Sequence, residues 1–171
     1  MNNVKNYFIH LFILCLIQII ILNNIDLGSY FYLNIYILAI YILPYRFNGV
    51  SLLVFGFLLG MFMDFASHSV GIHAAATTFV AYIRTRLLLL TSNREELEEV
   101  YGILQIKDFG WFFKYVLLST LLFNTVLVFA EAFTFHNILL SFTRVILSSV
   151  ASLLVILLYY FIGLRKIEKR F

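Results

Sequence analysis

The sequence GVSLLVFGFLLGMFMDFASHSVGIHAAATTFVAYIRTRLLLL, residues 49–90, holds two apolar runs, 49–65 and 70–90, separated only by the short turn 66–69. About 20 apolar residues carry an α-helix across a bilayer. Two such runs on either side of a short turn read as a transmembrane helical hairpin. Outward from the hairpin the pattern repeats, with apolar runs at about 7–22, 29–43, 111–130 and 138–164. The expected fold is an all-α membrane protein, a polytopic bundle of six transmembrane helices in a single domain over residues 1–171. The second run, 29–43, is short and interrupted by Asn34.

Composition points the same way. The chain is 63% hydrophobic, 18% aromatic and only 12% charged, and its mean hydropathy is +0.96. A soluble domain is about 45–50% apolar and about 25% charged. Six spans of about 20 residues use roughly 120, which leaves no room within these residues for a soluble catalytic domain. Cys15 has no second cysteine to pair with and packs as a small hydrophobe. Pro44 falls between runs, so proline kinks none of them. The first run follows Lys5 but ends Ile21-Leu22-Asn23-Asn24 without a small-residue cleavage site, and so reads as an uncleaved helix.

Charge placement orients the bundle. With the N-terminus inside, the cytoplasmic segments hold Lys5, Arg46, Arg84, Arg86, Arg94, Lys107, Lys114, Arg165, Lys166, Lys169 and Arg170. The opposite side holds Asp26, Asp64 and Glu131, with Arg144 as its basic exception. Eleven of the 12 Lys and Arg residues thus fall on one side, as the positive-inside rule requires of an even number of spans. Both termini are expected in the cytoplasm. The basic end 165–170 reads as an anchor for the last helix, not as a nucleic-acid patch. The longest polar interruption, 91–110, is also cytoplasmic. Ser92 and Glu95 have capping-box spacing, and Leu97, Val100, Tyr101 and Leu104 form an apolar stripe. A short amphipathic helix against the bundle is expected there, or a docking surface for a cytoplasmic partner.

Polar and small residues inside apolar runs are the candidate functional positions. Gly56, Gly60 and Asp64 recur at four-residue steps, which drift by only about 40° each on an α-helix, so all three share one stripe. Glycines on such a stripe let another backbone approach closely. The fourth run supplies a complement in Gly71, Ala74, Ala75 and Ala76, so tight helix packing is expected through Gly56, Gly60, Ala74 and Ala75.

Asp64 near the end of a span has two readings. It caps the N–H groups that open the fourth helix, or it faces a partner or ligand together with Gly71, His73, Glu131 and Arg144. His73 is placed to pair with Asp64. Arg144 shares a stripe with Ser141, Ser148 and Ser152 and needs an acid, either Glu131 or Asp64. Asn124 and Thr120 share a face of the fifth helix as interhelical hydrogen-bond donors. His10, His68 and His136 have no metal-ligand spacing. No phosphate-binding loop, G-x-S-x-G or H-E-x-x-H occurs. The reading is of a non-enzyme with no cofactor, no metal and no nucleic-acid partner.

The series Gly56-x-x-x-Gly60-x-x-x-Asp64, followed by Ser69-Val70-Gly71-Ile72-His73-Ala74 and a helix through Ala81-Tyr82-Ile83, resembles the hallmark segment of the rod shape-determining protein MreD family. Residue-level likeness covers about 56–84, and the likeness of architecture covers the whole chain. The loop 91–110 matches no family pattern. The resemblance implies a bacterial inner-membrane component of the cell-elongation machinery that scaffolds or regulates peptidoglycan synthesis and cell shape without catalysis. It implies an MreC-like periplasmic membrane protein, an MreB-like filament and the cell-wall synthases of the rod complex as partners. The alternative is a substrate-binding membrane subunit of an energy-coupling-factor type vitamin transporter, a class that MreD-like proteins resemble in fold. A water-accessible outer pocket holding Asp64, His73, Glu131 and Arg144 would favour transport, and a filled interior with exposed apolar grooves would favour scaffolding.

Overall fold

The computed structural model describes residues 2–24, 32–45, 47–93, 108–132 and 138–164, with positions 95 and 97. Among these residues all regular structure is helical. Helix α1 covers Asn2–Leu16 and runs on through a wide turn, Ile17–Ile21, and a tight one, Leu22–Asn24. A single turn, α2, covers Leu38–Tyr41. Then come α3 (Gly49–Ser67), α4 (Ile72–Thr91), α5 (Phe109–Ala132) and α6 (Ile138–Tyr159), whose last turn widens over Tyr160–Leu164.

Four of these stretches are long and apolar enough to cross a membrane: Tyr7–Asn24, Gly49–Ser67, Phe109–Ala132 and Leu139–Ile162. Helix α4 has comparable length, with 20 residues, but carries His73, Arg84 and Arg86 and is less apolar. The expectation of a spanning helix at 29–43 is corrected. Residues 32–35 are non-helical, and only the α2 turn follows. Tyr, Asn and β-branched Ile fill this run, and all are mediocre helix formers. Neighbouring helices supply the hydrogen bonds that an internal helix would otherwise have made.

The irregular run is the centre of the molecule. Residues Asn34 to Leu43 are all buried, with hydrogen bonds to side chains of α1, α4, α5 and α6. Non-helical backbone at membrane depth survives only where protein surrounds it. The run carries the chain from the end of the bundle where Asn23 meets Ser67 (Nδ2 to Oγ, 3.0 Å) back to the end where Arg84 meets Leu43 and Pro44. On the way, the Tyr7 hydroxyl donates to the Ala39 carbonyl at 2.9 Å.

Around this core, α3 packs on α4, α4 on α5, and α5 on α6. Helix α3 starts where Asn48 Oδ1 accepts from the Val50 N–H at 3.0 Å, an N-cap that satisfies an otherwise orphaned donor. It ends at His68, which adopts a left-handed φ of 54°. Gly71, with φ +75°, then turns the chain into α4. Phe12, Val54, Leu58, Phe62, Leu147, Val150 and Leu154 point outward. On a membrane bundle these side chains meet lipid.

Candidate functional site

The turn between α3 and α4 is organised by one carboxylate. Asp64 Oδ1 accepts from the Ser69 hydroxyl at 2.6 Å and from the His73 N–H at 2.9 Å. Its Oδ2 accepts from the Ala74 N–H at 2.9 Å. Both oxygens therefore serve the first turn of α4, where orphaned donors and the helix dipole favour an anion. Of the two roles open to Asp64 in the sequence, capping is the one this geometry occupies. His73 gives Asp64 its backbone N–H, whereas its ring Nδ1 lies 2.8 Å from the Tyr36 hydroxyl. The expected His73–Asp64 side-chain pair is therefore replaced by a His73–Tyr36 pair.

One and two turns before Asp64, the helices almost touch. A Cβ built on Gly60 would lie 2.7 Å from the Ala74 nitrogen, and nearer still to Ala74 Cα and Thr77 Oγ1. At Gly56 it would lie 3.0 Å from Ala81 Cβ and 3.2 Å from the Thr77 carbonyl oxygen. Ala74 is buried in this contact, but Ala75 is exposed. Its assignment to the packing seam is corrected, because successive helical residues point about 100° apart. Ala75 instead lines a groove of about 820 Å³ on the outer face of the hairpin, with Leu53, Phe57, Phe79 and Tyr82.

At the same end of the bundle, Arg144 on α6 forms a clamp. Its Nη2 lies 3.0 Å from Glu131 Oε2 and donates to the Tyr32 hydroxyl at 2.8 Å. The Tyr32 hydroxyl donates in turn to Glu131 Oε1, and the guanidinium sits over the Tyr32 ring. Arg144 thus takes Glu131 and not Asp64 as its acid. The clamp joins α5 and α6 to the irregular run.

Behind the clamp lies a buried polar network. The Tyr32 N–H donates to Ser148 Oγ and the Asn34 N–H to Ser152 Oγ, both at 2.9 Å. Gln18 Oε1 accepts from the Ile35 N–H at 2.9 Å, and Gln18 Nε2 donates to the Leu33 carbonyl at 2.8 Å. Asn34 Nδ2 donates to Asn124 Oδ1, and Asn124 Nδ2 to Ser149 Oγ, both at 3.3 Å. Asn124 Nδ2 also reaches the carbonyl, not the hydroxyl, of Thr120. Sequence reasoning missed Gln18, Tyr32, Asn34 and Tyr36 as site residues. The available signal was a polar side chain in the middle of each of two apolar runs, Gln18 in 7–22 and Asn34 in 29–43.

A second cavity, of about 800 Å³, opens beside this network. Gln18, Asn23, Tyr32, Asn34, Ser67, His68, His73 and Glu131 contribute to its wall. Asp64 and Arg144 do not, so two of the four residues named for a transport pocket share this cavity and two do not. Gly71 is exposed and lines the outer groove. At the opposite end Arg84 is 1% exposed, although the sequence reading counts it among the charges of the cytoplasmic side. Its guanidinium donates to the Leu43 and Pro44 carbonyls, so backbone oxygens compensate the charge.

No group of three metal-ligating side chains occurs among the described residues. The stripe Val100–Leu104, His136 and the basic run 165–170 lie outside the described residues, as does most of the expected helix in 91–110. No family model, curated protein or solved structure matches this chain.

Proposed function

We propose that this protein is a non-catalytic membrane component of the bacterial cell-elongation complex. In this reading it crosses the inner membrane six times with both termini cytoplasmic. It scaffolds peptidoglycan synthesis through an MreC-like membrane partner, alongside an MreB-like filament and rod-complex synthases. The resemblance over residues 56–84 is the source of this reading. The observation that carries it is what those residues do. Gly56, Gly60 and Asp64 fasten α3 to α4 backbone against backbone, and the hairpin presents a preformed apolar groove on its outer face.

A rigid pair of helices with an apolar groove at membrane depth is a platform for another transmembrane helix, because helix association in lipid rests on close van der Waals packing. The positions that would have to be free for chemistry are occupied structurally. Asp64 caps a helix, and Glu131 and Arg144 neutralise each other.

The test is affinity purification of the full chain in mild detergent, followed by identification of what co-purifies. An MreC-like coiled-coil membrane protein is the expected companion. Recovery of an ATPase pair with a transmembrane coupling subunit would replace this reading with the transporter one.

A further inference from the structure

Arg86 continues the groove of the α3–α4 hairpin one turn beyond its apolar lining. Ala75, Phe79 and Tyr82 line the groove, and on α4 the series 75, 79, 82, 86 advances by four, three and four residues. At about 100° per residue these four side chains fall within an arc of about 60°. Arg84, two positions earlier, lies nearly opposite on the helix. It is buried, and the Leu43 and Pro44 carbonyls compensate its charge. Arg86 is exposed, and its guanidinium lies over the Tyr82 ring, 5.8 Å from the centroid.

The direction of that side chain sets what the groove needs. Tyr82 stands one turn back along α4, so the charge is turned into the groove and away from Thr91 and the chain that follows. Helix α4 has 20 residues and is about 30 Å long, which matches the hydrocarbon thickness of a bilayer. Arg86 precedes its last residue, Thr91, by five positions, or about 7.5 Å. With α4 as a spanning helix, the guanidinium is held at membrane depth. A cation there is costly unless it snorkels to the nearer surface or meets an acid, and Arg86 turns the other way. The Tyr82 ring gives it a cation–π contact but no counter-charge. The occupant of the groove is placed to supply one.

We propose that the transmembrane helix seated in this groove carries an aspartate or glutamate that pairs with Arg86. The inference rests on the docking reading above and adds the chemistry that selects the partner. Packing on the small side chains of Ala75 and Thr78 permits close approach but sets no height along the groove. An ion pair fixes that height and rejects helices without the acid.

The experiment places a photo-crosslinking residue at Phe79 of the full chain in intact cells and identifies the adduct by mass spectrometry. The transmembrane segment of the crosslinked protein should contain Asp or Glu. At equal membrane abundance, Arg86→Glu should lower the adduct yield about tenfold or more, whereas Arg86→Lys should keep most of it. Replacing the partner's acid with Arg should restore the adduct of Arg86→Glu. Arg86→Gln, which should also lower the yield, keeps the proposal testable should Arg86→Glu not accumulate. Undiminished protein adduct in folded Arg86→Glu or Arg86→Gln, no recovery in the charge swap, or a partner segment without an acid overturns the ion pair and leaves the docking reading standing. Absence of any protein adduct with Arg86 intact overturns both, as does an adduct with lipid alone.

Discussion

Asp64 accepts three hydrogen bonds, one from Ser69 in the turn and two from His73 and Ala74 at the start of α4, and it does so from inside α3. Asp64→Ala would strand the His73 and Ala74 N–H groups, at a cost of about 2–4 kcal/mol. A fall in thermal unfolding temperature in detergent is the expected result, with Asp64→Asn less affected because its Oδ1 still accepts. Gly60 gives a sharper contrast. Gly60→Ala places a methyl against the Ala74 backbone and should cost about 1–3 kcal/mol by overpacking, and Gly60→Leu more. Gly49→Ala, which meets nothing within 4 Å, should leave stability near wild type. Equal stability of the Gly60 and Gly49 variants would mean that α3 and α4 do not meet as described. The close approach at this scale was legible in the sequence, because a four-residue spacing of Gly, Gly and Asp admits one stripe. What the stripe left open was the duty of each side chain facing it. Ala75 and Ala74 are adjacent and chemically identical, and only the rotation of α4 decides which is buried.

Among the elements, the run from Tyr32 to the α2 turn departs most from the sequence reading. Its hydropathy matches that of a helix, since Asn34 to Leu43 are buried on every side and hydropathy reports burial, not conformation. Its backbone bonds go to side chains of other elements, Tyr7 and Gln18 before it and Ser148 and Ser152 on α6 after it. Such long-range donors and acceptors leave no local periodicity to read. Ser152 Oγ also donates to the Tyr32 carbonyl at 3.2 Å, so it satisfies two backbone groups at once. Ser152→Ala should therefore destabilise by about 1–3 kcal/mol, whereas Thr143→Ala, on an exposed face of the same helix, should change stability by less than about 0.5 kcal/mol. Thermal melts of the two variants decide this. A neutral Ser152→Ala would mean that the irregular run is held by something else.

At the scale of the whole molecule, charges of the described helices divide between its two ends. Arg84 and Lys114 lie towards one, and Asp64, Glu131 and Arg144 towards the other. That division was the most legible global feature, because charge positions need no knowledge of packing. The clamp among Arg144, Glu131 and Tyr32 ties α5 and α6 to the irregular run. Arg144→Glu and Glu131→Arg should each lower the yield of folded protein by leaving like charges together. Combining them should restore much of it, and a double variant no better than either single one would show that the pair does not hold these helices. The long apolar helices expose apolar faces on several sides, but the α3–α4 hairpin combines a backbone-tight seam with an open groove.

In the proposed function this groove seats a partner's transmembrane helix. A photo-crosslinking residue in place of Phe79, inside the groove, reports on that contact, with Val150 on the outer face of α6 as control. Ultraviolet irradiation of intact cells followed by mass spectrometry should give an adduct with an MreC-like membrane protein from position 79 and none from position 150. Adducts with that protein from position 150 and not 79, or adducts of position 79 with lipid alone, would contradict it.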